Sequence, residues 1–131
     1  MDSNNEDEAL REFAQAKYMA LETFRKNGVA VRTPTFFALS NDVIYMSTTT
    51  NTGKFKRLQK NAKVRIVPSD FRGNPRGKWL EGIASPVEDP ELIVWINEQL
   101  DKSHPILRRL RAFMERFSNG KRVAFSIRLG Q

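Results

Sequence analysis

The stretch VIYMSTTTNTGKFKRL, residues 43–58, decides the fold. Its first half, with Val43, Ile44 and Tyr45, is rich in residues that suit a pleated, half-buried strand. That strand ends in the hydroxyl residues Ser47, Thr48, Thr49 and Thr50, followed by Asn51, Thr52 and Gly53. Gly53 opens a short helix over about residues 53–61, with Phe55, Leu58 and Ala62 on its apolar face. A helix starting directly at a strand end presents unpaired N–H groups and a partial positive charge there. Such a junction can hold an anion. Lys54 and Arg57 are three apart and share a helical face. Together they can clamp a phosphate, arginine by its fork and lysine as a point charge. The same residues also suit a solvated basic helix capped by Thr52. The glycine spacing and the residue after Gly53-Lys54 differ from a Walker loop.

Working outward, Asn5 and Glu8 resemble a capping box for a first helix over about residues 6–17. Residues 18–25 read as a strand. Asn27-Gly28 predicts a two-residue type I′ turn, which needs positive φ at both central positions. A second strand runs over residues 29–39. Its neighbours Phe36 and Phe37 point to opposite faces, so that one of them belongs to the core. Asn41-Asp42 turns the chain into the third strand, residues 43–49. Beyond the short helix, residues 63–68 form a fourth strand and 71–77 a loop with Gly73, Pro75 and Gly77. Residues 78–87 form a fifth strand. Asp89-Pro90 starts a helix that buries Leu92, Ile93, Trp95, Ile96 and Leu100. Ser103-His104-Pro105 breaks it. Ile106, Leu110, Phe113, Met114 and Phe117 carry a fourth helix to Asn119-Gly120. Val123, Phe125, Ile127 and Leu129 alternate with polar and small residues in a sixth strand.

The order is therefore α-β-β-β-α-β-β-α-α-β. It predicts a single domain over residues 1–131, of mainly-β (α+β) class. The expected architecture is a six-stranded antiparallel barrel, closed or half-open, because closure removes unpaired edges.

Composition narrows the chemistry. The 131 residues contain no cysteine and one histidine, His104. Disulfides, thiolate catalysis and cysteine-ligated metal sites are excluded, and no metal site is expected. No apolar run has the length of a membrane span. The acidic N-terminus lacks the apolar stretch of a signal peptide, so a cytoplasmic protein is expected. The net charge of +7 predicts an anionic partner. The charge is blocked: residues 53–65 carry bases and no acid, residues 86–101 acids and no base, and residues 104–131 mostly bases.

A resemblance joins these features. Thr23-Phe24-Arg25 with Asn27-Gly28, Thr33-Pro34-Thr35, Gly53-Lys54-x-Lys56-Arg57-Leu58, Asn61, Val64 and Asp70-x-Arg72-Gly73 occur in one order and spacing. Over about residues 17–87 the chain resembles the pyridoxamine 5'-phosphate oxidase-like split β-barrel family, in particular its coenzyme F420-dependent branch. The resemblance implies a homodimer with two cofactors at the subunit interface, the cofactor being coenzyme F420 or FMN. It implies an oxidoreductase that transfers hydride to or from a small organic substrate. Carried over by position, Lys54 binds phosphate, with Arg57 as second contact and Arg32 approaching from strand two. Ser47, Thr48 and Thr49 reach the phosphate or ribityl chain. Thr33, Pro34 and Thr35 lie along the ring system. Lys78 and Trp79 close the pocket from the partner chain. The cofactor carries the redox chemistry, so the chain needs no nucleophile of its own.

Other readings compete. Some split-barrel relatives bind haem, and His104 is the sole imidazole available as a ligand. Small basic β-barrels also bind nucleic acid. Here Phe55 between Lys54 and Lys56 is the lone hint of stacking interleaved with charge, so a nucleic-acid partner is disfavoured. Trp95 falls on the apolar stripe of its helix and reads as core. Arg108, Arg109, Arg111 and Arg116 form either a solvated face or a rim that attracts an anion.

Overall fold

The computed structural model describes residues 2–103, 109 and 120–130. Helix α1 spans Asp2–Gln15 and buries Leu10 and Phe13, three apart on one face. It starts at Asp2, so Asn5 lies inside the helix and is not its cap. Strands β1 (Tyr18–Phe24) and β2 (Ala30–Phe36) pair in register from Tyr18↔Phe36 to Phe24↔Ala30. Their connection differs from the type I′ turn expected at Asn27-Gly28. Gly28 has φ +88, while Asn27 is not in the left-handed region. The Gly28 N–H donates to the Arg25 carbonyl at 2.8 Å, and the Arg25 N–H donates to Val29 at 2.9 Å. This is a three-residue loop with a left-handed glycine closing a bulge. Asn27 instead accepts from the Val29 N–H through its side chain, at 3.1 Å. The two-residue reversal with two positive φ values sits at Asn41 (51°) and Asp42 (65°). It joins β3 (Ala38–Ser40) to β4 (Val43–Thr49), with Ser40 paired to Val43.

Helix α2 follows at Gly53–Lys60, then β5 (Lys63–Ser69), β6 (Leu80–Pro86), α3 (Pro90–Ser103) and β7 (Arg122–Leu129). The helix expected over 106–119, together with His104, Arg108, Arg111 and Arg116, lies outside the described residues, apart from Arg109, which is helical.

The strands form one antiparallel sheet of order β2-β1-β5-β6-β7-β4-β3. Seven strands replace the six expected, because residues 29–39 are not one strand. At Phe37 the chain changes hydrogen-bonding partner: β2 pairs with β1, and β3 pairs with β4. The two pieces are thereby the two edges of the sheet, joined by one residue. The sheet curls into a half-barrel.

Met19, Leu21, Ile44, Met46, Val64, Ile66 and Ile127 are fully buried inside it. Phe13 of α1 plugs this core and meets Phe37 edge-on at 5.6 Å. On the outer side, α3 buries Ile96 and Leu100 against Ala124 of β7, with Phe36, Tyr45 and Trp95 alongside. Trp95 packs edge-on against Tyr45 at 5.9 Å, in keeping with a core role. Of the two neighbouring phenylalanines, Phe37 faces the barrel core and Phe36 the α3 cluster. Among the described residues, no helix is long and apolar enough to cross a membrane.

Candidate functional site

The β4–α2 junction is built from its own hydroxyls. Thr52 is the N-cap of α2, with extended backbone, and its Oγ1 accepts from the Phe55 N–H at 3.1 Å. The same hydroxyl donates to the Thr49 carbonyl at 3.0 Å and lies 3.0 Å from Thr48 Oγ1. The turn is fastened to β7 by two bonds. Thr50 N–H donates to the Lys121 carbonyl, and the Lys121 N–H donates to Thr50 Oγ1, each at 2.9 Å. Phe55 and Leu58 enter the core, which leaves Lys54 on the side facing β2. Its Nζ donates to Thr35 Oγ1 at 3.0 Å. The first turn of α2 carries no acidic residue. A cation there has the wrong sign for the helix dipole, and an anion beside it would satisfy both.

A cleft of about 220 Å³ opens at this point. Pro34, Thr35 and Phe36 form one bank, and Ser47, Thr48 and Thr49 the other. Lys54, Leu100 of α3 and Arg122 of β7 complete the lining, which among the described residues bears two cations and no carboxylate. Burial, and secondarily the like charge of Arg57, lowers the Lys54 ammonium from its ordinary 10.5 to about 8.

Six residues expected from sequence thus meet in one cleft: Pro34, Thr35, Ser47, Thr48, Thr49 and Lys54. Arg32, Thr33, Arg57, Lys78 and Trp79 are not among its lining. Arg57 turns back along α2 and donates from Nε to the buried Thr23 Oγ1 at 2.6 Å. Its guanidinium covers Gly53, where a β-carbon would sit 2.8 Å from it. Desolvation and neighbouring Arg25 lower its pKa. The hydroxyls of β4 are already engaged. Ser47 donates to Asn97 Oδ1 at 3.0 Å, and Thr49 to Asn51 Oδ1 at 2.6 Å. They must rotate to serve a ligand, whereas Lys54 keeps N–H donors beyond the one spent on Thr35.

Phe36, Leu100, Arg122 and the Ser47 partner Asn97 were not foreseen as parts of this site. Arg122 arrives there because Thr49 pairs with it across β4 and β7.

Arg32 and Trp79 belong to a separate cluster. Glu22, nearly buried, pairs with Arg32 at 3.4 Å and with Arg65 at 3.2 Å, both its register partners on flanking strands. The two guanidiniums each lie 4.9 Å from the Trp79 ring centroid. Lys78 beside it is exposed. Among the described residues, no group of three or more histidine, cysteine, aspartate or glutamate side chains could hold a metal ion.

No family model and no curated protein matches the chain. Solved structures do. A candidate pyridoxamine 5'-phosphate oxidase from Listeria innocua is similar over 97% of this chain and 94% of its own, with TM-score 0.70 and 17% identity. A conserved hypothetical protein from Mycobacterium tuberculosis is similar over 100% and 81%, with TM-score 0.69 and 18% identity. The haem storage protein HutZ from Vibrio cholerae is similar over 95% and 89%, with TM-score 0.66 and 16% identity. The chain therefore has the split-barrel fold of pyridoxamine 5'-phosphate oxidase-like proteins, a fold shared by oxidoreductases and haem-binding proteins alike.

Proposed function

We propose that the cleft holds the phosphate of a flavin-type cofactor, coenzyme F420 ahead of FMN, and that the chain is an oxidoreductase acting on a small organic substrate. The carrying observation is Lys54: an ammonium inside the cleft, at a helix N-terminus, hydrogen-bonded to the neutral Thr35 hydroxyl. A phosphate suits this donor set because it can accept from the Lys54 ammonium and face the helix N-terminus at once. Pro34 and Thr35, with Thr33 just before them, would border the ring system, and Phe36 and Leu100 would keep water from it. When bound, such a cofactor supplies the hydride chemistry, and the protein binds and orients it.

Cations beyond the first phosphate contact favour coenzyme F420. Arg122 lies in the cleft, and Arg57, one turn along α2, has Arg25 of the β1–β2 loop as a charged neighbour. A polyglutamate tail can use these, whereas FMN ends at its phosphate. The proposed working unit is a homodimer of single-domain chains, in which Lys78 and Trp79 of one copy approach the cleft of the other.

Quenching of cofactor fluorescence by the protein measures both affinities. Coenzyme F420 is expected to bind more tightly than FMN, with Kd below about 100 µM, near −5.5 kcal/mol. Binding of neither within that range defeats the proposal. Haem binding is the second reading, favoured by the likeness to a haem storage protein. A Soret band that appears on haem addition and is lost in His104→Ala would replace the first reading with it.

A further inference from the structure

We propose that Asn97 sets the hydrogen-bonding polarity of the cleft, so that the β4 bank selects a ligand that donates to it: a polyhydroxylated chain carrying the phosphate. This rests on the reading of the cleft as a phosphate site and assigns what lies beyond the phosphate.

A hydroxyl has one proton to give and two lone pairs with which to receive. Ser47, half-buried on β4, gives its proton to Asn97 Oδ1 of α3 at 3.0 Å. Thr49 gives its own to Asn51 Oδ1 at 2.6 Å. Thr52 spends its proton on the Thr49 carbonyl, so in its 3.0 Å contact with Thr48 the proton comes from Thr48. Across the cleft, Thr35 accepts from Lys54 and donates to the Thr33 carbonyl at 3.4 Å. Every side-chain hydroxyl of the lining therefore has its proton committed within the chain. What these groups still offer a ligand, without rotating, is lone pairs.

Such a bank disfavours phosphate oxygens, which are acceptors too, and complements the hydroxyl protons of a ligand. Lys54 keeps donors to spare and marks where the phosphate belongs. One molecule answers both ends of the cleft: a phosphate ester with hydroxyls along the adjoining chain. An alkyl chain in the same place would cover the lone pairs without pairing them.

Asn97 is the outside control on this arrangement. Thr48 and Thr49 are tied by residues of the β4–α2 turn itself, whereas Ser47 is tied to another element, α3. Asn97 stands behind Ser47 and outside the lining. Without its carbonyl, Ser47 can turn its proton into the cleft and donate to an anion. Asn97 is thus a positioning residue that acts through Ser47.

Isothermal titration calorimetry of the full chain compares inorganic phosphate, n-pentyl phosphate and ribitol 5-phosphate, the last two matched in carbon length. Ribitol 5-phosphate is expected to bind at least about fivefold more tightly than pentyl phosphate, the worth of one net hydrogen bond. Ser47→Ala should narrow that ratio and leave inorganic phosphate unchanged. Asn97→Leu should narrow it while tightening inorganic phosphate. Asn97→Asp still accepts from Ser47 and should keep the ratio. A merely structural role for Asn97 would move all three ligands alike. Equal affinities for ribitol 5-phosphate and pentyl phosphate overturn the proposal, as does a ratio unchanged in Asn97→Leu or a failure of all three phosphates to bind. If the ratio responds as expected but neither coenzyme F420 nor FMN binds, the acceptor bank stands and the proposed function falls. If either cofactor binds and the ratio is one, this proposal alone falls.

Discussion

Replacing Lys54 by methionine should stabilise the ligand-free protein while removing its phosphate affinity. Methionine is close in shape to the lysine stem, so packing is largely retained. Lowering the ammonium from 10.5 to about 8 corresponds to a cost of at most about 3 kcal/mol for the folded, protonated state. Loss of the bond to Thr35 returns about 1 kcal/mol. The net gain at pH 7 is then about 1–2 kcal/mol, or roughly 3–10 °C in Tm for a chain of this size. The pH dependence carries the diagnosis. The unfolded chain binds the Lys54 proton more tightly than the folded one between pH 8 and 10.5. Wild-type stability attributable to this group is therefore lowest below pH 8 and recovers as pH rises through that window. Urea denaturation of both proteins from pH 7 to 10.5 reads the difference, and the advantage of Lys54→Met should shrink across it. A constant difference, or a variant less stable at every pH, would refute the reasoning. Inorganic phosphate should raise the Tm of the wild type and leave Lys54→Met unchanged, because a ligand stabilises only the state that binds it.

Thr52→Ala removes the α2 cap and the hydroxyl that Thr48 contacts; urea denaturation should show a loss of about 1 kcal/mol. Trp79→Ala removes a ring that Arg32 and Arg65 both approach at 4.9 Å, and should cost about 1 kcal/mol per guanidinium at most, read by thermal denaturation. Asp70 is held at about pH 2 by bonds from Asn74, Arg72 and Arg76. Its contribution is present above the ordinary 3.8 and fades as pH falls toward 2. Amide exchange at Arg72 and Asn74 should therefore accelerate over that acid range in the wild type, and lose this step in Asp70→Asn.

Local features of this chain are legible in its sequence. Thr52 caps α2, and the 43–58 stretch runs from strand to helix as its residue types demand. Asp89 also starts α3, its carboxylate accepting from the Glu91 N–H at 3.0 Å. The break at Phe37 was not legible, for a physical reason. Thr35, Phe37 and Leu39 keep facing the same side through it, so period-two alternation is undisturbed. Only the hydrogen-bonding partner changes, and no side chain announces that. The hairpin at Asn27-Gly28 shows a related limit: one glycine supports either a two-residue or a three-residue loop, and closure decides between them. Arg122 escaped notice as a cleft residue because it is brought to Thr49 by a pairing 73 positions long in sequence (122 minus 49).

The one-residue link between β2 and β3 also has a mechanical side. A sheet whose first and last strands are tethered through Phe37 can gape only along the line where those strands meet. The cleft lies beside that tether, with residues 34–36 of β2 on one bank and, past the end of the short β3, residues 47–49 of β4 on the other. The phosphorylated ligand proposed to bind there would bridge both banks, so its arrival would tie the two edges of the sheet together and stiffen them as one.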